Sequence, residues 1–256
     1  MLIHVTAVDT ADFARACAHE HVLGARAQTA LRTYGLGNAN ELFYLCRKGR
    51  EASAALYLSH GVLTISSDER ADPVPISELI AQENIRVIET NQHQCKMLQE
   101  LLGGNLESSY YLAYRGARDS AEYPDICRGD TAEDAALLRR SREWAQTHLN
   151  FEDWLTDLTL RLTRGQAELY HLEQDGVAAA VGAVLYEDAE SGVIGAIAAE
   201  TDELAAQMCR FLIQRVLEKG KTPRLLAGSD AEVEHFCELG FATCGRWGRL
   251  TLPEKN

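Results

Sequence analysis

Positive charge is scarce in this sequence. The chain has 25 lysines and arginines against 38 aspartates and glutamates, a formal net charge of −13. A surface of that sign repels phosphate backbones and anionic headgroups, so neither nucleic acid nor membrane is an expected partner. At long range it favours a cationic or amine-bearing molecule. No apolar run approaches the roughly 18 residues that a membrane helix needs. Residues 1–12 have no basic head and no long apolar stretch, so no signal peptide is expected, and the chain is expected in the cytoplasm. The seven cysteines are odd in number and widely spaced, with no Cys-x-x-Cys. Neither a metal site nor a disulfide framework is expected from that spacing, and buried, reduced thiols are. Gly-x-Ser-x-Gly is absent as well, which removes the usual hydrolase elbow.

Other fragments of motifs carry little. His19, Glu20 and His21 cannot aim two imidazoles at one ion from a helix, because i and i+2 do not share a face. Gly35 and Gly37 follow no strand, so they read as a loop and not as a nucleotide site. Glu187, Asp188 and Glu190 read as a polar hairpin tip, with deprotonation of an amine as the functional alternative. Trp144, Phe151 and Trp154 fall on an expected helical stretch, residues 131–162, and read first as core.

What is present is a core and a repeat. Hydrophobic residues make up 46% of the 256, enough to bury an interior in one large domain or two ordinary ones. Glu41-Leu42-Phe43-Tyr44-Leu45-Cys46-Arg47-Lys48-Gly49 has a counterpart in Glu168-Leu169-Tyr170-His171-Leu172-Glu173-Gln174-Asp175-Gly176. Each is an apolar run ending in a polar turn with glycine, the mark of a strand entering a hairpin. Small and apolar strands follow both. Upstream, residues 5–12 match 126–133, where Asp9-Thr10 and Asp130-Thr131 can cap helices. Downstream, the first half reads as helix 76–82, strand 85–89, helix 92–102 and strand 108–114. The second reads as helix 203–219, strand 224–227, helix 230–239 and strand 243–250. Duplication is the simplest account: a domain over 1–116, a linker over 117–124 rich in turn-forming residues, and a domain over 125–256. Early strands joined by short turns pair antiparallel, and the strand–helix–strand crossover pairs parallel. The expected fold is therefore α/β with a mixed sheet in each half.

Near the C-terminus, Glu234-His235-Phe236-Cys237-Glu238-Leu239-Gly240-Phe241 is followed by Gly245-Arg246-Trp247. This segment, with the element order of the second half, resembles the GNAT N-acetyltransferases; the first half resembles them only through the repeat. Locally, Phe236 and Leu239 share a helix face, and Gly240 stands where a helix end needs left-handed backbone. The resemblance implies two tandem GNAT-like acyl-CoA N-acyltransferase domains, the first degenerate. It implies acetyl-CoA as co-substrate, held by the backbone of Ala198 and Ala199 and by the helix start at Leu204, Ala205 and Ala206. It implies a small-molecule or peptide amine acceptor, with Glu200 the nearest candidate base. Two positions depart from the family's pattern. The Gly-rich pyrophosphate loop is replaced by Glu200-Thr201-Asp202-Glu203, and Phe236 stands where many members place a proton-donating tyrosine. A binding or regulatory module that has lost acetyl transfer is the alternative reading.

Overall fold

The computed structural model describes residues 1–68, 71–118, 121–141, 143–144 and 149–253. In chain order the elements are β1 Leu2–His4, α1 Thr10–Cys17, α2 His21–Tyr34, β2 Glu41–Lys48, β3 Glu51–Ser59, β4 Val62–Ser67, α3 Pro73–Gln82, β5 Val87–Asn91, α4 Gln92–Leu102 and β6 Asn105–Tyr114. They continue as β7 Ile126–Arg128, α5 Ala135–Arg140, α6 Phe151–Thr163, β8 Glu168–Gln174, β9 Val177–Glu187, β10 Ser191–Ala199, α7 Asp202–Glu218, β11 Thr222–Ala227, α8 Asp230–Glu238 and β12 Phe241–Thr251. The helical stretch expected over 131–162 is two helices, and residues 142 and 145–148 between them lie outside the described residues. No helix among the described residues is long and apolar enough to cross a membrane.

The chain divides into two compact units. Unit 1 holds Met1–Tyr111, Ala227–Ser229 and Cys244–Asn256, and unit 2 holds Leu112–Leu226 and Asp230–Thr243. Cys244 and everything after it therefore lie with the first half of the chain, whereas composition places them with the second. Strand pairing is the reason. β5 is parallel to β4 on one edge, and on the other it takes Trp247–Thr251 of β12 as an antiparallel partner. Turn-rich composition marks where a chain bends; it carries no information on which distant strand fills an open edge.

The strand order is β1-β2-β3-β4-β5-β12-β6 in unit 1 and β11-β10-β9-β8-β7 in unit 2. The internal repeat is visible in the hairpins of the two units. The β2–β3 ladder slips between Cys46 and Arg47, and the β8–β9 ladder slips between Leu172 and Glu173, at the same distance before each turn. Both turns use left-handed backbone: φ is +65° at Gly49, +53° at Asp175 and +78° at Gly176. Such turns match the twist of a hairpin.

Each sheet is covered on two faces. In unit 1, Leu56, Ile65, Ile88 and Leu98 pack on one side, and Phe13, Phe43, Leu45 and Tyr57 on the other. In unit 2, Leu138 of α5 and Trp154 and Leu158 of α6 pack with Leu169, Val181, Ala183 and Leu185. On the opposite face α7 presents Leu204, Met208, Leu212 and Val216, spaced by four, toward the core. Two glycines let it come close. A Cβ at Gly182 would lie 2.7 Å from Met208, and one at Gly192 would lie 2.8 Å from Val216. That close approach fixes where the first turn of α7 stands, just beyond β10.

All seven cysteines are free. Cys17, Cys46, Cys95 and Cys209 are buried as expected, but Cys127, Cys237 and Cys244 are exposed. Burial pushes the Cys95 and Cys209 thiols up to about 12, which keeps them protonated and unreactive.

One buried charge organises unit 1. Glu89 is 2% exposed. It accepts from Arg26 Nη1 of α2 at 2.6 Å and from Arg249 Nε of β12 at 3.0 Å. Removing one partner of a buried ion pair costs about 3–5 kcal/mol, whereas exposed pairs are worth under about 1 kcal/mol. Urea denaturation should therefore show Glu89→Ala losing about 3 kcal/mol or more. Lys219→Ala, which cuts the more accessible contacts to Glu168 and Glu187, should lose less than about 1 kcal/mol.

Candidate functional site

The site is built from the middle of unit 2. β10 and β11 are parallel, but their ladder covers only Ser191–Thr222, Gly192–Pro223 and Val193–Arg224. Beyond Val193 the strands are no longer paired, and the backbone edges that face each other need other partners. On its other edge β10 pairs with β9, and that ladder slips between Val193 and Ile194 and again between Gly195 and Ala198. Ala196 sits inside the second slip with φ +53°, a left-handed conformation that is uncommon for a residue with a side chain. The bulge bends β10 and turns the Ala196 amide out of the ladder.

A carboxylate meets that amide. Glu143, just beyond α5, brings Oε2 to 3.5 Å from Ala196 N. Its approach depends on Gly195, where a Cβ would lie 2.8 Å from the same oxygen. Glu143 is half-buried, and nothing in its local sequence marks it.

Further along, Glu200 N donates to Ala179 O at 2.9 Å. Antiparallel alternation then turns the N–H and C=O of Ala199 to the opposite edge, on the unpaired side. The Ala199 carbonyl accepts from Arg140 Nη2 at 3.1 Å. Ala198 is paired with Val181 and faces β9. Of the two strand positions expected from sequence, Ala199 offers the open backbone and Ala198 does not.

α7 begins at once. Thr201 is its N-cap, with its side-chain oxygen accepting from Leu204 N at 3.3 Å. The first helical carbonyl is that of Thr201, which accepts from Ala205 N at 3.0 Å. The amides before that bond belong to the helix end, where the aligned peptide dipoles present positive charge. Leu204 is buried, and its amide is committed to the cap. Ala205 and Ala206 are half-buried and small. Glu200, Thr201, Asp202 and Glu203 are all exposed. The loop holds no basic residue of its own, but Arg140 is brought to it from a distant helix, which a linear reading could not find.

The other residues singled out from sequence separate cleanly. Phe151 and Trp154 are core, with Trp144 packed against them. Asp188 Oδ1 accepts from Glu190 N at 2.8 Å and Ser191 N at 2.6 Å, which closes the hairpin tip on itself. Glu187 is held by Lys219 at 2.7 Å and Lys221 at 3.4 Å. Gly240 has φ +96°, as its place after α8 requires. Phe236 and Phe241 meet edge to face at 6.0 Å.

Unit 1 repeats the plan with its opening closed. β4 and β5 also share three parallel pairs, Val62–Val87, Leu63–Ile88 and Thr64–Glu89. There Asn91 Nδ2 donates to Ser67 Oγ at 3.1 Å. Ser66 Oγ accepts from Glu20 N at 3.0 Å and bonds the carbonyls of Ala16 and Cys17. The helix after β4 has lost its donors: Pro73 and Pro75 have no N–H, and Val74 N is taken by Asp72 Oδ1 at 3.0 Å.

No protein-family profile and no curated protein matches the sequence. Solved structures do match. A GCN5-related N-acetyltransferase from Kribbella flavida is similar at 14% identity with a TM-score of 0.60, over 91% of this chain and 95% of that one. A GNAT-family acetyltransferase from Colwellia psychrerythraea is similar at 14% identity and 0.59, over 99% and 100%. A tandem GNAT protein from the clavulanic acid biosynthesis pathway is similar at 11% identity and 0.58, over 100% and 99%. Likeness of that extent at such low identity is a likeness of backbone, and it runs through both units. The chain has the fold of the GNAT acetyltransferases along its whole length, in tandem form.

Proposed function

We propose that unit 2 is an N-acetyltransferase that moves an acetyl group from acetyl-CoA to an amine. The observation that carries this reading is the early end of the β10–β11 ladder, with an open amide at Ala199 and the start of α7 beside it. Ala199 N–H and the helix-end amides of Asp202 and Glu203 would hold the co-substrate, the small Ala205 and Ala206 would let it approach, and Arg140 would face its pyrophosphate. Acetyl-CoA supplies an activated acyl group. The chain must hold the acyl oxygen, orient the amine and take its proton. An amine is largely protonated near neutral pH and must lose a proton to attack. Glu143 is better placed for that step than Glu200. It lies half-buried at the bulge, within reach of the outward Ala196 amide, whereas Glu200 is exposed at the far end of the strand. The negative surface favours a cationic acceptor, such as a small amine or a basic peptide.

A second reading has its own support. Glu200, Asp202 and Glu203 surround the helix start, and Phe236 cannot donate a proton. Each carboxylate about 4 Å from a phosphate costs on the order of 1 kcal/mol in water and more when partly buried. Helix-end amides return roughly 0.3–1 kcal/mol. On this reading unit 2 keeps the fold as a binding or regulatory module.

Three measurements separate these readings. Calorimetric titration should show acetyl-CoA binding to the full chain, and Ala205→Trp should abolish it; unchanged affinity in that variant would place the ligand elsewhere. Changing Asp202 to Gly together with Glu203 to Arg should tighten CoA binding about tenfold or more, since about 1.4 kcal/mol is one decade. No gain would mean that both carboxylates are directed away from the ligand. Glu143→Gln should lower kcat for amine acetylation by about a hundredfold or more with CoA affinity retained. Full activity in Glu143→Gln and loss in Glu200→Gln would reverse the assignment of the base.

A further inference from the structure

A different cluster in unit 2 has no part in the chemistry above. β7 and β8 pair antiparallel, with Cys127 directly opposite His171. Glu173 lies two residues beyond His171, where strand alternation returns it to the same face. One ligand atom from each of Cys127, His171 and Glu173 lies within 4.8 Å of the others. His171 Nε2 and Glu173 Oε1 are 3.4 Å apart.

The imidazole is held from behind. His171 Nδ1 lies 3.0 Å from Asp134 Oδ1. Asp134 is 1% exposed, and its other oxygen accepts from Asp130 N at 3.0 Å. Room for it depends on Gly129, where a Cβ would lie 2.5 Å from Asp134 Oδ2. A carboxylate at Nδ1 favours the tautomer with its proton on Nδ1, which leaves Nε2, 3.4 Å from Glu173 Oε1, as the nitrogen able to take a metal. Metal-binding histidines are oriented in this way by a carboxylate behind the ring.

We infer that Cys127 Sγ, His171 Nε2 and Glu173 form a site for a zinc-class divalent transition-metal ion, with Asp134 as the positioning residue behind the histidine. One sulfur, one nitrogen and one oxygen are the donor types that zinc accepts in tetrahedral geometry. Cys127 and Glu173 are exposed while His171 is buried, so the ion would reach the site from solvent and keep a fourth position for water. A cysteine nucleophile with a histidine base would use the same two residues. Here a carboxylate stands 3.4 Å from Nε2 and belongs to the same cluster as the thiol, which is the layout of a chelate. The sequence spacing hides the site, because its ligands meet through strand pairing and not through a short motif.

The test uses the full chain, reduced and stripped with a chelator, titrated with zinc(II) and separately with cobalt(II). The expected result is one tight equivalent of zinc, and with cobalt a thiolate-to-metal charge-transfer band in the near ultraviolet. Cys127→Ser should remove the band, and its exposed side chain makes loss of folding unexpected. Glu173→Gln should weaken binding, and Asp134→Asn should weaken it by about 10–100-fold. Circular dichroism of each variant checks that the fold is kept. Absence of a band in the native chain overturns the proposal. So does a band that survives Cys127→Ser, which would assign the metal to another thiol.

Discussion

A parallel ladder that stops after three pairs is the constraint on which unit 2 depends. Past Val193, the inner edges of β10 and β11 cannot satisfy each other, and unpaired backbone is costly to bury. The chain answers with side chains from α5 and its continuation: Arg140 on the Ala199 carbonyl and Glu143 near the Ala196 amide. The bulge, the half-buried acid and the exposed cation all follow from that unfinished pairing. The close packing of α7 on Gly182 and Gly192 then sets the helix start beside the same edge.

The two units show how one backbone plan is opened or shut by a few side chains. Both have the slipped hairpin and the short parallel ladder. In unit 1 Asn91 ties the strands together, the corner between α1 and α2 settles on Ser66, and two prolines remove amides from α3. Each change is local, and together they take up or remove the donors described at the start of α3. Unit 1 keeps the same architecture, and its buried Glu89 holds β12 in place through Arg249.

Much of the architecture could be read from the sequence because it rests on local pattern. The helix read over 92–102 has the bounds of α4, and the one read over 203–219 lies one residue later than α7. The left-handed Gly240 and the hairpin tip at Asp188 were likewise visible in turn chemistry. What stayed hidden depends on contacts between distant residues. Arg140 and Ala199 are 59 positions apart, Glu143 and Ala196 are 53 apart, and Asp134 and His171 are 37 apart. No local rule brings such pairs together. Even at Ala198 and Ala199, which composition treats as equals, only strand alternation decides which one offers its backbone.

The place of β12 has a consequence for how this protein is made. Residues from Cys244 onward are made after every helix and strand of unit 2, yet Trp247–Thr251 pair with β5 of unit 1. Until Trp247–Thr251 have been made, that edge of β5 lacks its native partner. An open edge of that kind is a template for unwanted pairing. The N-terminal unit therefore begins first in the chain, yet it takes one of its strands from residues made after unit 2.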